Sequence, residues 1–167
     1  MNIELRDART SAADGEWLTN VYPFYLYDLS EFDHGYYRLN DRGLWEPHHL
    51  PSWLKEGPDH PLVILESGHR VGCALVNQAP SPHMQPGMDF RLSELFVLRK
   101  HRRRGIGRRA VFVLFDRFKG KWEITELVRN TPAINFWRRV IDEYAGGHYE
   151  EKTSSTEVRQ IVDTTQR

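Results

Sequence analysis

Seven of the eleven residues from Arg99 to Arg109 (RKHRRRGIGRR) are Lys or Arg, and a Gly-Ile-Gly triplet occupies positions 105–107. Such a run binds anions, because each guanidinium offers a fork of N–H donors to phosphate or carboxylate oxygens. On charge alone three readings are open: a grip on nucleic acid, a solvated surface, or a clamp for the phosphates of a nucleotide-bearing cofactor. Position narrows them. A hydrophobic strand ends near Leu98 and a helix begins at Gly105, so the run lies on a strand-to-helix turn. A helix N-terminus exposes unpaired backbone N–H groups and the positive end of its dipole. Gly105 and Gly107 remove side chains that would hold a phosphate away from those groups. A Gly-x-x-x-x-Gly-Lys-Ser/Thr phosphate loop is absent. The dinucleotide fingerprint Gly-x-Gly-x-x-Gly meets Ala110 at its third glycine, a substitution it tolerates, and no acidic residue closes a second parallel strand.

Other reactive side chains point to less. His48-His49 lacks the i, i+4 spacing of a zinc site and no His-Glu-x-x-His occurs, so no metal is expected. Cys73 alternates with Val71 and Leu75 and reads as a small core residue. As the only cysteine it makes no internal disulfide. No serine sits in a nucleophile-elbow pattern.

The elements that must position the glycine turn follow from periodicity. Ile3 and Leu5 alternate as a first strand. Ser11, with Asp14 three residues on, reads as a helix cap. Leu18, Val21, Tyr22, Tyr25, Leu26 and Leu29 then recur at helical spacing, with a break or kink expected at Pro23. Residues 32–60 form a long irregular stretch interrupted by a short helix near His49–Lys55. A hairpin of strands 62–66 and 70–76 turns at Ser67-Gly68. The strand FRLSELFVL precedes the glycine turn, and Ile106, Ala110, Val113, Leu114 and Phe118 mark the buried face of the helix after it. WEITELV is a further strand. TPAINFWRRVIDEY is a helix, with Thr131 as cap and Pro132 at its first position, ended by Gly146-Gly147. Strands near 148–152 and 157–162 close the chain. Intermixed strands and helices place the class as α/β or α+β.

Length and charge agree with an ordinary globule. The 167 residues match one domain, 1–167, with 40 % hydrophobic and 28 % charged content. Twenty-three basic residues balance twenty-three acidic ones, which argues against a dedicated nucleic-acid or membrane-surface protein. No stretch approaches the roughly 20 apolar residues of a membrane span, and MNIELRDART lacks a signal-peptide core. The expected location is cytoplasmic.

The segment ELFVLRKHRRRGIGRRAVFVLF contains Arg/Gln-x-x-Gly-x-Gly/Ala, here Arg102 to Gly107, and resembles motif A of the GNAT superfamily of acyl-CoA-dependent N-acyltransferases. NTPAINFWRRVIDEY is similar to the family's later Asn-x-x-Ala-x-x-Phe-Tyr helix, with Asn130, Ala133 and Phe136 in place. Element order agrees over about residues 3–163. The resemblance implies a central mixed, mostly antiparallel, splayed sheet of about seven strands flanked by helices. It implies acetyl-CoA as acyl donor and a primary amine as acceptor, and, as many relatives dimerise, it leaves a homodimer open as the assembly.

By the same resemblance, backbone groups at Phe96, Val97 and Leu98 hold the pantetheine amides. The N–H groups from Arg103 through Arg104, Gly105, Ile106 and Gly107 to Arg108 hold the pyrophosphate, and Arg102 opens the motif. Asn130 touches the pantetheine arm, with Asn135 and Phe136 forming the far wall. Direct transfer needs a proton acceptor, since a free amine is mostly protonated at neutral pH. Glu94 is the candidate, on the strand face shared by alternation with Leu92 and Phe96. The competing reading is a strand glutamate paired with an arginine. A backbone N–H of Phe96 or Val97 would polarise the thioester carbonyl. Trp137 stands where many family members carry the tyrosine that protonates the leaving thiolate, so the acid is unassigned. Tyr25, Asp28 and Tyr37, from the broken helix and the loop after it, are candidate contacts for a cationic amine. Without the chemistry, the same fold would serve as an acyl-CoA-binding sensor.

Overall fold

In the computed structural model, which describes residues 2–166, alternating and helical periodicities resolve into nine strands and four helices among the described residues. They are β1 (Ile3–Asp7), α1 (Ala12–Leu29), β2 (Arg38–Leu39), β3 (Trp45–Glu46), α2 (Leu50–Trp53), β4 (His60–Glu66), β5 (His69–Gln78), β6 (Phe90–Val97), α3 (Ile106–Arg117), β7 (Lys121–Leu127), α4 (Thr131–Ala145), β8 (Glu150–Thr153) and β9 (Glu157–Asp163). Seven strands form one sheet in the order β1-β4-β5-β6-β7-β9-β8, and β2 and β3 make a separate two-stranded ribbon. Neighbours in the large sheet are antiparallel except β6 and β7. The ribbon lies inside the stretch read from sequence as irregular; strands of two residues are too short to show a period.

Helices cover both faces. Leu18, Tyr22 and Leu26 of α1 pack with Val63, Leu75 and Phe96 on one face. Ile106, Ala110, Val111, Leu114 and Phe115 of α3, with Trp137 and Ile141 of α4, pack on Leu92, Trp122 and Ile124 on the other. The α3 stripe therefore runs through Val111 and Phe115; Val113 and Phe118 are only half-buried. No helix among the described residues is long and apolar enough to cross a membrane.

Three local readings are corrected. α1 runs from Ala12 to Leu29 without a break at Pro23. The carbonyl that proline deprives of a donor belongs to exposed Thr19, where water can replace it. Ser11 is the N-cap residue but makes no side-chain cap bond, and Asp14 turns inward instead. It is fully buried and takes hydrogen bonds from Arg6 of β1 and Arg70 of β5, so it ties the helix start to the sheet. The cap of α4 is Asn130, one residue earlier than expected, whose Oδ1 accepts from the Ala133 N–H.

Two departures from regular sheet geometry involve β6. Leu75 lies opposite Glu94 and Val76 opposite Leu92, so Ser93 is an extra residue bulged out of the strand. Its hydroxyl donates to Asn77 of β5. The bulge reverses the alternation: Leu92 packs with α3 and α4, whereas Phe96 packs with α1. Glu94 thus shares a face with Phe96 but not with Leu92. The second departure is that β6 and β7 pair only from Phe90 to Leu92 against Trp122 to Ile124 and then part.

β5 and β6 approach unusually closely at Gly72, opposite Val97, where a Cβ would come within 2.2 Å of the Phe96 carbonyl oxygen. That atom is backbone and cannot rotate away. Gly72→Ala is expected to lower stability by about 1–3 kcal/mol, as overpacking does, measured by the denaturation midpoint; an unchanged midpoint refutes the close-approach explanation.

Candidate functional site

Where β6 and β7 part, a cleft of about 520 Å³ opens between them. Ser93, Glu94 and Leu95 of β6 form one wall, Thr125 and Glu126 of β7 the other, and Trp137 of α4 the side. A second cleft of about 550 Å³ lies beside it on the α1 face, lined by Tyr36, Tyr37, His49, Trp53, Asp59 and Arg91 among others. Glu94 and Tyr37 line both clefts, so the two meet at this carboxyl group.

The Tyr22 hydroxyl, carried by the buried face of α1, donates to Glu94 Oε1 at 2.9 Å. Glu94 Oε2 is buried without a hydrogen-bond partner among the described residues. No arginine pairs with Glu94 among those residues, which removes the ion-pair reading. Burial pushes the Glu94 carboxyl up to about 7, with the Tyr22 hydrogen bond working the other way. Such a group holds or releases a proton near neutrality.

The backbone edge of β6 that faces the gap follows from pairing. The Leu98 N–H donates to Val71 O, and the Leu98 carbonyl accepts from the His101 N–H. Leu98 therefore has neither group free. By antiparallel alternation the N–H groups of Phe96 and Glu94 also face β5, and those of Val97 and Leu95 face the gap. Of the three backbone positions expected to line the gap, only Val97 does, and Leu95 joins it. Arg102 Nε donates to the Val97 carbonyl at 2.6 Å, which confirms the side that carbonyl faces.

Beyond β6 the chain turns through Arg103, with φ +60°, and Gly105, with φ +79°. The first backbone bond of α3 is from the Arg109 N–H to Gly105 O. No N–H from Arg103 to Arg108 donates to another described group, which leaves six consecutive amides open. Gly105 is required by its left-handed conformation. Gly107 has a different reason: a Cβ there would sit 3.3 Å from the Phe136 ring and 3.9 Å from Val97 Cγ2. Gly107, Phe136 and Val97 thus form one wall at the end of the gap.

The arginine side chains are mostly committed elsewhere. Arg99 and Arg102 both hydrogen-bond Asp28 of α1, Arg104 pairs with Glu66, and Arg108 makes a two-point pair with Glu143 of α4. Partial burial works to raise the Asp28 carboxyl, but the bonds from Arg102 and Arg99 hold it below the usual carboxylate range. Asp28 lines a smaller cleft of about 280 Å³ beside Tyr25, Leu95 and Asn130, and its carboxylate is taken up by Arg99 and Arg102 as a fastening between α1 and the basic turn. Tyr25 and Tyr37 do line the parted-strand cleft. Asn130 lines it too, with its side-chain oxygen engaged as the α4 cap. Asn135 is exposed on α4 and, like Phe136, lines neither of the two larger clefts. Tyr144 packs on Phe112 and Phe115 and bonds Lys119 and Asp116, away from both clefts.

Sequence reasoning passed over Tyr22 and Glu126. Tyr22 sits at a core position of α1, and a buried tyrosine hydroxyl needs a partner. Glu126 shares the period of Trp122 and Ile124, so a carboxylate at a buried strand position was visible in WEITELV.

The chain matches the sequence profile of the acetyltransferase (GNAT) family over residues 23–141. No curated protein matches it. Among solved structures, an acetyltransferase from Thermus thermophilus is 16 % identical with a TM-score of 0.65, covering 98 % of this chain and 97 % of that one. A GNAT-family acetyltransferase from Streptococcus agalactiae is 10 % identical with a TM-score of 0.66, over 96 % and 95 %. Arabidopsis thaliana NAA60, solved in complex with acetyl-CoA, is 11 % identical with a TM-score of 0.59, over 97 % and 99 %. At such identities the likeness is one of fold.

The raised Glu94 carboxyl has a consequence for stability. The free group titrates near 4.5 and the folded one near 7. Between these values the folded chain keeps a proton that the unfolded chain has released. Stability from this site is therefore full below about 4.5 and falls as pH rises through about 7. Glu94→Gln is expected to make that decline shallower, with the share of the buried Glu126 carboxyl remaining, read as urea midpoints at about pH 5 and about pH 8; declines of equal size in both proteins contradict the assignment.

Proposed function

The chain belongs to the GNAT acetyltransferase family, and from that premise we propose that it transfers an acetyl group from acetyl-CoA directly to a primary amine. The observation that carries this reading is the parted pair β6 and β7, with Glu94 at the inner end of the gap and six open amides at its outer end. The N–H groups of Arg103 to Arg108 would receive the diphosphate. The gap-facing amides of Leu95 and Val97 would pair with the pantetheine arm, extending the sheet edge by one more strand-like partner. Phe136 and Asn130 would wall it. Acetyl-CoA supplies a thioester carbonyl open to an amine, and a thiol to leave.

Glu94 then takes the proton that the attacking amine must lose. Its partial proton affinity near neutrality suits that task, and the Tyr22 hydroxyl holds one oxygen so that Oε2 faces the work. Of the two amides suggested for polarising the carbonyl, Val97 has the orientation, since Phe96 faces β5. The second cleft would receive the acceptor, a small-molecule or peptide amine. Tyr37 and Trp53 give it aromatic walls and Asp59 a carboxylate, groups that suit a cation. Residues 1–167 would act as one acetyltransferase domain, and a cytoplasmic location is part of the proposal.

Acetyl-CoA at about 100 times its dissociation constant should stabilise the wild-type fold by about 2.7 kcal/mol. Gly107→Glu is expected to abolish this, because its side chain must displace Phe136 or enter the gap. Undiminished stabilisation in the variant would refute the site. For chemistry, kcat/KM of the wild type is expected to fall on the acid side with an apparent pKa near 7. Glu94→Gln should lower it by about 10²- to 10⁴-fold at neutral pH and erase that limb. A wild-type profile in the variant makes Glu94 a structural residue.

A further inference from the structure

Trp137 stands on α4 where the family resemblance places a tyrosine acid for the leaving thiolate, and an indole N–H is not an acid for this purpose. Another group stands in the same cleft. Glu126 lies on β7 two residues beyond the last pairing with β6, on the face that carries Trp122 and Ile124 toward α4. It is 6 % exposed, and neither carboxyl oxygen makes a hydrogen bond of ordinary geometry among the described residues, the Gln160 side chain being near enough only to temper its proton affinity. It lines the parted-strand cleft together with Trp137, Ala133, Asn130 and, across the gap, Glu94. A buried carboxyl with both oxygens open costs stability and calls for a reason.

We propose that protonated Glu126 is the acid that gives its proton to the sulfur of departing CoA. This rests on the acetyl-CoA reading of the cleft. As the amine nitrogen bonds to the carbonyl carbon, the carbon–sulfur bond breaks and its electron pair goes to sulfur. The amine proton passes to Glu94 and the Glu126 proton to sulfur, giving amide and free thiol. One proton then returns from Glu94 to Glu126 through solvent in the cleft, and the chain is restored.

The surroundings suit a proton held at neutral pH. Burial pushes the Glu126 carboxyl up to about 8, Gln160 of β9 tempers the rise, Glu151 of β8 adds to it, and Arg138 of α4 opposes it. Arg138 is spent on Glu151, which also accepts from Gln160 Nε2. Glu157 of β9 and Glu94 of β6 line the same cleft and add no positive charge to it. Arg91 also lines the cleft but pairs with Glu123, so each cation near Glu126 is matched by another carboxylate.

The test compares wild type with Glu126→Gln, the near-isosteric neutral variant, using free coenzyme A and the difference absorbance of its thiolate. If Glu126 faces the sulfur, its carboxylate at alkaline pH resists a second negative charge. The bound thiol should then titrate about one pH unit higher in wild type than in the variant. Turnover with acetyl-CoA and an amine should fall about 10²-fold in the variant while stabilisation by coenzyme A is retained. Equal thiol titrations in the two proteins overturn the role of Glu126 alone. Loss of coenzyme A stabilisation confined to the variant assigns Glu126 to packing and overturns it too. Failure of coenzyme A to stabilise wild type overturns the donor-site reading itself, and this proposal with it.

Discussion

The site depends on hydrogen bonds that β6 and β7 do not make. Interior strands of a sheet normally satisfy every amide and carbonyl, and a buried unpaired group costs about 1–3 kcal/mol. Here the pairing stops after Leu92 and Ile124, although both strands continue. The bulge at Ser93 turns the β6 backbone at that point, and α4 places Trp137 and Ala133 beside the opening. At the far end, Arg102 bonds the Val97 carbonyl and joins it to Asp28 on α1. The other neighbours stay paired along their lengths, with a register shift at Val71 between β4 and β5, so the opening is confined to the one parallel junction.

Buried acids sort themselves around this opening. Asp14 is fully buried but meets Arg6 and Arg70, and the Arg6 hydrogen bond holds it below the usual range against burial. Glu123, equally buried, pairs with Arg91 and Arg159 and accepts from the Gln85 N–H. The Arg138 hydrogen bond lowers Glu151 in the same way. Glu94 and Glu126 receive no such cation, both are raised, and both line the cleft. Compensated carboxylates in this fold fasten elements together. The uncompensated pair lies on opposite sides of the gap, an arrangement that suits the proposed reaction, which both takes and gives a proton.

Much of this was legible in the sequence because it depends on local rules. The hairpin at Ser67-Gly68 has positive φ at both residues, as its turn chemistry demands, and the strand-glycine-helix unit was marked by period and by Gly105. The seven-stranded sheet followed from the motif resemblance and element order. What resisted depended on partners distant in sequence. Ser93 carries no mark of a bulge, because the extra residue is defined only against Leu75 and Val76. Without it, strict alternation misplaces Leu92 relative to Glu94. Asp14 looked like a cap because cap rules are local, while Arg70 lies 56 residues away. The parting of β6 from β7 likewise leaves no local trace in either strand.

The basic turn shows how a charge count misleads. Seven cations in eleven residues suggest an arginine clamp, yet Arg99, Arg102, Arg104 and Arg108 are already matched by Asp28, Glu66 and Glu143. Those pairs draw α1, β4 and α4 onto the turn, so the arginines shape the anion site more than they fill it. On the proposed donor site, recognition would fall to backbone amides, which neither titrate nor rotate away. Fixed donors suit a diphosphate that must be held while its distant end reacts, since little ordering remains to be done on binding. The same pairing limits the free positive charge of the run, so its density gives a poor measure of attraction for nucleic acid. The amides of the turn are open because it is a helix N-terminus, reached through the left-handed conformation of Gly105 and packed closely at Gly107.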